Sequence, residues 1–297
     1  MIGFLLSRLL VIPALVSALV ACASDVPETN AGRLVDDNGR SVDLSRPVTR
    51  IVSLAPSVTE ILFDLGVGDR VVGRTRWCDA PPEALEVTSV GDGLEPNVEV
   101  ILGQQPDLVV FYSAVSNEPA IAQIESLGIS TLSVRTDRLA DLERATRLLG
   151  RFTGTTERAD SLIAELEVDL AQLEESRPRD SIPHVLILAW DNPPIVIGEA
   201  SFLHEIVELA GARNVFEDVD RPSLRVSIEA IVERDPDLVL VTADSALTNR
   251  VDRAEWRAVP AIRDQRFFMV VGNEYSRPSF RAPSAIRRLR SALEEWR

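Results

Sequence analysis

The stretch Asn97-Val98-Glu99-Val100-Ile101-Leu102-Gly103-Gln104-Gln105-Pro106-Asp107-Leu108-Val109-Val110 returns as Ser227-Ile228-Glu229-Ala230-Ile231-Val232-Glu233-Arg234-Asp235-Pro236-Asp237-Leu238-Val239-Leu240. The copies stand about 130 residues apart, far beyond the periods of solenoid repeats, so they mark two similar lobes rather than an array. In each, a polar residue (Asn97 or Ser227) can cap a short helix, and Pro106 or Pro236 ends that helix before an apolar strand. Glu99 and Glu229 then fall in the first helical turn, where the helix dipole favours a carboxylate and the side chain points to solvent. One such glutamate would merely stabilise its helix start. Two at matching places raise the question of a common docking role.

Working outward, Arg8 is followed by the apolar run from Leu9 to Val20, broken by Pro13, which has the charged start and hydrophobic core of an export signal. It closes on Leu19-Val20-Ala21-Cys22, similar to the lipobox of bacterial lipoproteins. That resemblance implies a signal peptide over 1–21, lipidation of Cys22 and a polar tether over 22–32. The chain is therefore expected in the periplasm or on the cell-envelope surface, touching membrane only through its lipid. Cys78 is left without a disulfide partner and is read as packed, and His184 and His204 are too few and too far apart for a metal site.

Every one of the 31 basic residues is arginine. The absence of lysine excludes a phosphate-loop lysine and Schiff-base chemistry, and there is no Gly-x-Ser-x-Gly elbow or Gly-x-Gly-x-x-Gly loop. With 46 acids and a formal charge of −15, nucleic acid is excluded as a partner. No catalytic residue and no cofactor is expected.

Along the chain, residues 33–44 alternate apolar and polar around Asn38-Gly39 and predict a hairpin. Strands are predicted at Arg50–Leu54, Arg70–Gly73, Leu108–Tyr112 and Ser130–Val134, and helices at Ala55–Gly66 and Pro119–Leu127. Such alternation implies a parallel sheet covered on both faces. From Leu139 to Glu175 the pattern is helical with one break at Thr153-Gly154-Thr155, and its second half is long enough to bridge two lobes. A second strand–helix series starts at His184, and its last element is a helix over Arg281–Trp296. The expected domains are an N-terminal α/β lobe at 33–152, a connecting helix at 153–177 and a C-terminal α/β lobe at 178–297.

Together with the stretches from Arg50 to Ile61, Trp77 to Ala84, and Asn192-Pro193-Pro194, this plan resembles the iron-siderophore, haem and cobalamin class of ABC-transporter substrate-binding proteins. The resemblance implies a class III periplasmic-binding-protein fold: two Rossmann-like lobes with parallel sheets, joined by one long backbone helix. It also implies a monomer that delivers a small-molecule metal chelate to a permease dimer with its ATPase subunits. Glu99 and Glu229 match the family's two docking glutamates, which enter arginine pockets of the permease. The ligand-binding residues it implies are Trp77, Asp92, Tyr112, Trp190, Arg221, Arg225, Tyr275, Arg277, Phe280 and Arg281. Cobalamin is preferred as cargo, ahead of ferric siderophore and haem, although Gly93 and Ser223 stand where cobalamin binders carry aromatics. Two other readings stay open. One is a lipid-anchored sensor or scaffold of the same fold, and the other an exported hydrolase using Asp79 and Asp92.

Overall fold

The computed structural model describes residues 33–43, 47–242, 254–270 and 272–296. The export signal, Cys22 and the tether lie outside these. The chain opens with the expected hairpin of β1 (Arg33–Val35) and β2 (Ser41–Asp43). Its turn is held by Asp36, whose Oδ1 accepts the amides of Asn38 at 3.0 Å and Arg40 at 2.8 Å, while Gly39 takes the left-handed conformation at φ 77°.

The first sheet contains β3 (Ile51–Ser53), β4 (Val71–Arg74), β5 (Leu108–Tyr112) and β6 (Ser130–Val134), ordered β4-β3-β5-β6 and parallel throughout. Three helices follow strands or precede them: α1 (Pro56–Asp64), α2 (Val98–Gly103) and α3 (Glu118–Ser126). Strand residues alternate faces, so Leu108 and Val110 join one core with α1 while Val109 and Phe111 join another with α2 and α3. Both faces are buried, which is why these strands read as continuous apolar runs.

Two helices then run in succession, α4 (Leu139–Thr153) and α5 (Thr156–Glu175), separated by Gly154. The 20 residues of α5 span about 30 Å at 1.5 Å per residue. Ala159, Leu162 and Leu166 of α5 belong to the core of the first sheet, Leu173 belongs to a core of the second, and Leu170 packs against both.

The second sheet is built from β7 (His184–Asp191), β8 (Pro194–Ile197), β9 (Arg213–Asn214), β10 (Ser223–Arg225), β11 (Leu238–Thr242) and β12 (Phe267–Val270). Its order is β10-β8-β7-β11-β12, with β9 also paired to β7. The strands β7, β9, β11 and β12 are parallel, but β8 and β10 run antiparallel to their neighbours, so this sheet is mixed rather than purely parallel. A tight return at Asn192-Pro193 folds β8 back on β7 without a crossover helix. The helices α6 (Phe202–Leu209), α7 (Ile228–Glu233), α8 (Pro260–Arg263) and α9 (Ala282–Glu294) cover its two faces. From α9, Arg290 closes two helix ends at once, donating to the carbonyls of Leu173 at 2.8 Å and Leu209 at 2.7 Å.

The repeated stretches are equivalent in detail. Asn97 Oδ1 accepts the Val100 amide and Ser227 Oγ the Ala230 amide, each at 3.2 Å. Gln105 and Asp235 both turn the chain with positive φ, 50° and 44°. The following aspartates each hook the neighbouring strand, Asp107 through the Arg50 amide at 2.9 Å and Asp237 through the His184 amide at 2.8 Å.

Candidate ligand cleft

The cleft is bounded by loops at the carboxyl ends of both sheets, where open α/β sheets bind ligands. Its half on the first sheet is a cavity of about 550 Å³ lined by Leu54 to Ser57 at the β3–α1 junction, by Trp77, Asp92 and Leu94, and by Tyr112 at the end of β5. Trp77 is 58% exposed. Its indole Nε1 donates to Asp92 Oδ2 at 3.2 Å, and the Arg76 guanidinium lies over its ring 5.7 Å from the centroid. Asp92 also accepts the Leu94 amide and Arg76 Nη2, each at 3.0 Å. The Leu94 amide first, then the indole, hold its carboxyl below the usual range. The Tyr112 hydroxyl donates to Asp137 Oδ1 at 2.6 Å, and burial together with that carboxylate pushes the phenol above its ordinary pKa.

The other half, about 690 Å³, is lined by the starts and ends of second-sheet elements, among them Ser201, Phe202, Thr242, Asn273 and Tyr275. Thr136, Asp137 and Ser276 line both halves, so the two cavities are one continuous cleft.

Two charged clusters tie the lobes together beside it. Glu60, on α1 and only 4% exposed, accepts Arg277 Nε at 2.5 Å and Arg281 Nη2 at 2.6 Å. Arg277 also reaches Asp79 Oδ1 through Nη2 at 2.8 Å and the Trp77 carbonyl through Nη1 at 3.4 Å. Burial opposes the charge on Arg277 and on Asp79, but their pairing outweighs it, so the Arg277 pKa is raised and the Asp79 carboxyl lowered. In the second cluster Arg138, at the start of α4, donates to Glu205 at 3.0 Å and Glu199 at 2.9 Å, and Glu205 also accepts the Leu139 amide at 2.8 Å. The Phe202 amide donates to the Asp137 carbonyl at 2.7 Å.

Of the residues expected to bind ligand, the structure places Trp77, Asp92, Tyr112, Tyr275 and Arg277 on the cleft wall. Tyr275 presents only its ring, because its buried hydroxyl donates to the Ala285 carbonyl at 3.1 Å. The other five lie outside the linings of these two cavities. Trp190 stands near the end of β7, where its Nε1 donates to the Asn192 carbonyl at 2.9 Å and the residue is 43% exposed. Arg221 lies ahead of the edge strand β10 and Arg225 ends it; both are exposed, and between them only Pro222 reaches the cavity. Phe280 packs against the core of the first sheet, and Arg281 is spent on Glu60. Gly93 cannot carry the aromatic found in cobalamin binders, since a Cβ there would collide with the Leu54 carbonyl oxygen.

Sequence reasoning missed Glu60, Thr136, Asp137 and Asn273. Glu60 stands inside the apolar run from Val58 to Leu62, and a charged residue buried on a helix face was the one signal available. Glu99 and Glu229 are exposed at the second positions of α2 and α7. The Glu229 carboxyl is held below its usual range by its own amide and by Ser227. Cys78 is buried, with Sγ 3.1 Å from Thr75 Oγ1. Among the described residues no group of three or more His, Cys, Asp or Glu is placed to hold a metal ion, and no helix is long and apolar enough to cross a membrane.

This architecture, two α/β lobes on one long helix with a cleft between them, is the class III arrangement of periplasmic binding proteins. The chain belongs to the periplasmic binding protein family, whose model matches residues 51–270. It is 30% identical over 243 residues to the uncharacterized ABC transporter substrate-binding lipoprotein YvrC of Bacillus subtilis (strain 168), covering 79% of this chain and 76% of that one. It is 26% identical over 249 residues to the vitamin B12-binding protein of Vibrio cholerae, covering 84% and 90%. Among solved structures it is similar to the periplasmic heme-binding protein RhuT from Roseiflexus sp. RS-1 in apo form, with a TM-score of 0.75, 26% identity, and coverage of 84% of this chain and 98% of that one.

Proposed function

We propose that this protein captures a metal chelate whose metal is already fully ligated, with cobalamin preferred over a ferric siderophore, and delivers it to an ABC permease. The observation that carries this reading is the donor chemistry of the cleft. Among the described residues no histidine, cysteine or methionine lines it. The two tyrosine hydroxyls donate elsewhere, to Asp137 and to the Ala285 carbonyl. The wall offers rings, hydroxyls, an amide and carboxylates, which suit the periphery of a large macrocycle and do not suit axial ligation of an open haem iron.

Delivery is assigned to Glu99 and Glu229. Each exposed carboxylate can form a bidentate pair with a permease arginine, and two such pairs at a fixed spacing set orientation. Anchoring is assigned to a lipid on Cys22, in keeping with the lipoprotein named among its relatives.

The test is the absorption spectrum of the protein after incubation with cyanocobalamin, haemin or a ferric hydroxamate and removal of unbound material. The cobalamin spectrum should co-purify at one equivalent. Retention of haemin alone would overturn the reading.

A further inference from the structure

We infer that Asp137 sets the charge selectivity of the cleft, admitting chelates whose rim carries uncharged hydrogen-bond donors and rejecting those that carry free carboxylates. The inference rests on the reading of this cleft as the ligand site. Asp137 lines both cavities, so ligand spanning the two halves passes over it.

Its position is fixed from three sides. The Tyr112 hydroxyl donates to Oδ1 at 2.6 Å, its own amide donates to Asp141 Oδ2 at 2.9 Å, and its carbonyl accepts the Phe202 amide at 2.7 Å from the opposite lobe. None of these neutralises the carboxylate. Among the described residues no arginine forms an ion pair with it, whereas Asp92, the other lining carboxylate, has Arg76 at 3.0 Å.

Among the described residues one arginine lines the cleft, and it does not offset this charge. Arg277 directs Nε to Glu60, Nη2 to Asp79 and Nη1 to the Trp77 carbonyl, which engages all three nitrogens within the protein. A ligand carboxylate entering the middle of the cleft therefore meets a fixed negative charge in a partly desolvated setting. Like charges juxtaposed in that way are strongly unfavourable, whereas a carboxamide N–H or a hydroxyl finds an acceptor.

The experiment uses two matched pairs of chelates: cyanocobalamin with its derivative bearing one hydrolysed peripheral carboxamide, and haemin with its bis-amide. Affinities of the exported, full-length protein are measured by absorbance titration. In the wild type the uncharged member of the pair that binds should be at least about tenfold tighter, and that ratio should shrink as salt is raised from about 20 mM to about 500 mM. Asp137→Asn keeps an acceptor for Tyr112 and should bring the two members within about threefold, mainly by tightening the charged one.

An unchanged ratio in Asp137→Asn would overturn the inference. If that variant does not fold, a wild-type ratio insensitive to salt, or one favouring the charged member, does the same. Which pair binds answers the question of cargo, and the ratio within a pair answers the question of selectivity, so either can fail alone. Binding of no member of either pair would overturn both.

Discussion

Glu60 and Arg277 meet at 2.5 Å although 217 residues separate them in sequence. The contact joins α1 of the first lobe to the segment ahead of α9, and with Arg281 on the other carboxylate oxygen it leaves both oxygens of Glu60 engaged. The pair is deeply placed, with side chains 4% and 12% exposed, so water does little to screen it.

Removing one partner should therefore be costly. Glu60→Ala leaves two guanidinium groups facing a void, and a loss of about 3–5 kcal/mol is expected, as for other broken buried pairs. Urea unfolding followed by circular dichroism measures it. The double variant Glu60→Met with Arg277→Met should lose less than Glu60→Ala, because the buried Arg277 charge goes with its partner, while Arg281 and Asp79, each 42% exposed, are left to water.

Asp64, one turn further along α1, gives a pH signature of the opposite sign to an ordinary paired acid. Burial, then the neighbouring Glu60 charge, raise its pKa from 3.8 to about 6. The folded state thus favours its protonated form, so its contribution to stability is present below pH 3.8 and is lost as pH rises through about 6. Asp64→Asn removes that loss. The variant should match the wild type near pH 4 and exceed it at pH 7 by up to about 3 kcal/mol, the equivalent of a shift of about two pKa units. Thermal melts across this range test the crossover.

Trp77 offers its face to the cleft while its edge is tethered to Asp92. Trp77→Ala should weaken ligand binding by about 10- to 100-fold, in the range of a lost aromatic anchor, and leave the melting temperature nearly unchanged because the ring is mostly exposed. Fluorescence quenching and calorimetry read the two effects separately.

Glu99 and Glu229 should behave in the reverse way. Neither lines the cleft, so Glu99→Ala with Glu229→Ala should leave ligand affinity as it is and change the melting temperature little, since both carboxylates are exposed. Uptake of ligand into cells or proteoliposomes should collapse in the double variant. Normal uptake would favour the sensor or scaffold reading over delivery.

The fold was legible because its signals are local. Pro56 opening α1, the break at Gly154 between α4 and α5, and the paired sentences around Glu99 and Glu229 each act within a few residues. The repeat carried more than secondary structure, since the hooks made by Asp107 and Asp237 lie in it as well. The mixed character of the second sheet was not read, because Asn192-Pro193 marks a return without fixing the direction of the strand after it.

The site was less legible, for a different reason. Tyr112 ends a predicted strand and Trp77 lies in the loop after one, and such places locate a cleft. Trp190 also ends a strand, yet the hairpin that follows it holds its indole on the Asn192 carbonyl. The resemblance groups Arg281 and Phe280 with Arg277, but one faces Glu60 and the other a core. Asp137 has no pattern of its own. Its importance arises from Tyr112, 25 residues earlier, and from Phe202 in the other lobe.

The long helix α5 has a consequence for how the molecule comes apart. Its early turns complete the interior beneath the first sheet, its last turn completes the one beneath the second, and Leu170 serves both. A gene split ahead of Thr156 would uncover the apolar floor of the first half, and one behind Glu175 would uncover that of the second at Leu173, so neither cut should release two well-folded halves. Two sheets should melt as one body, in a single cooperative step.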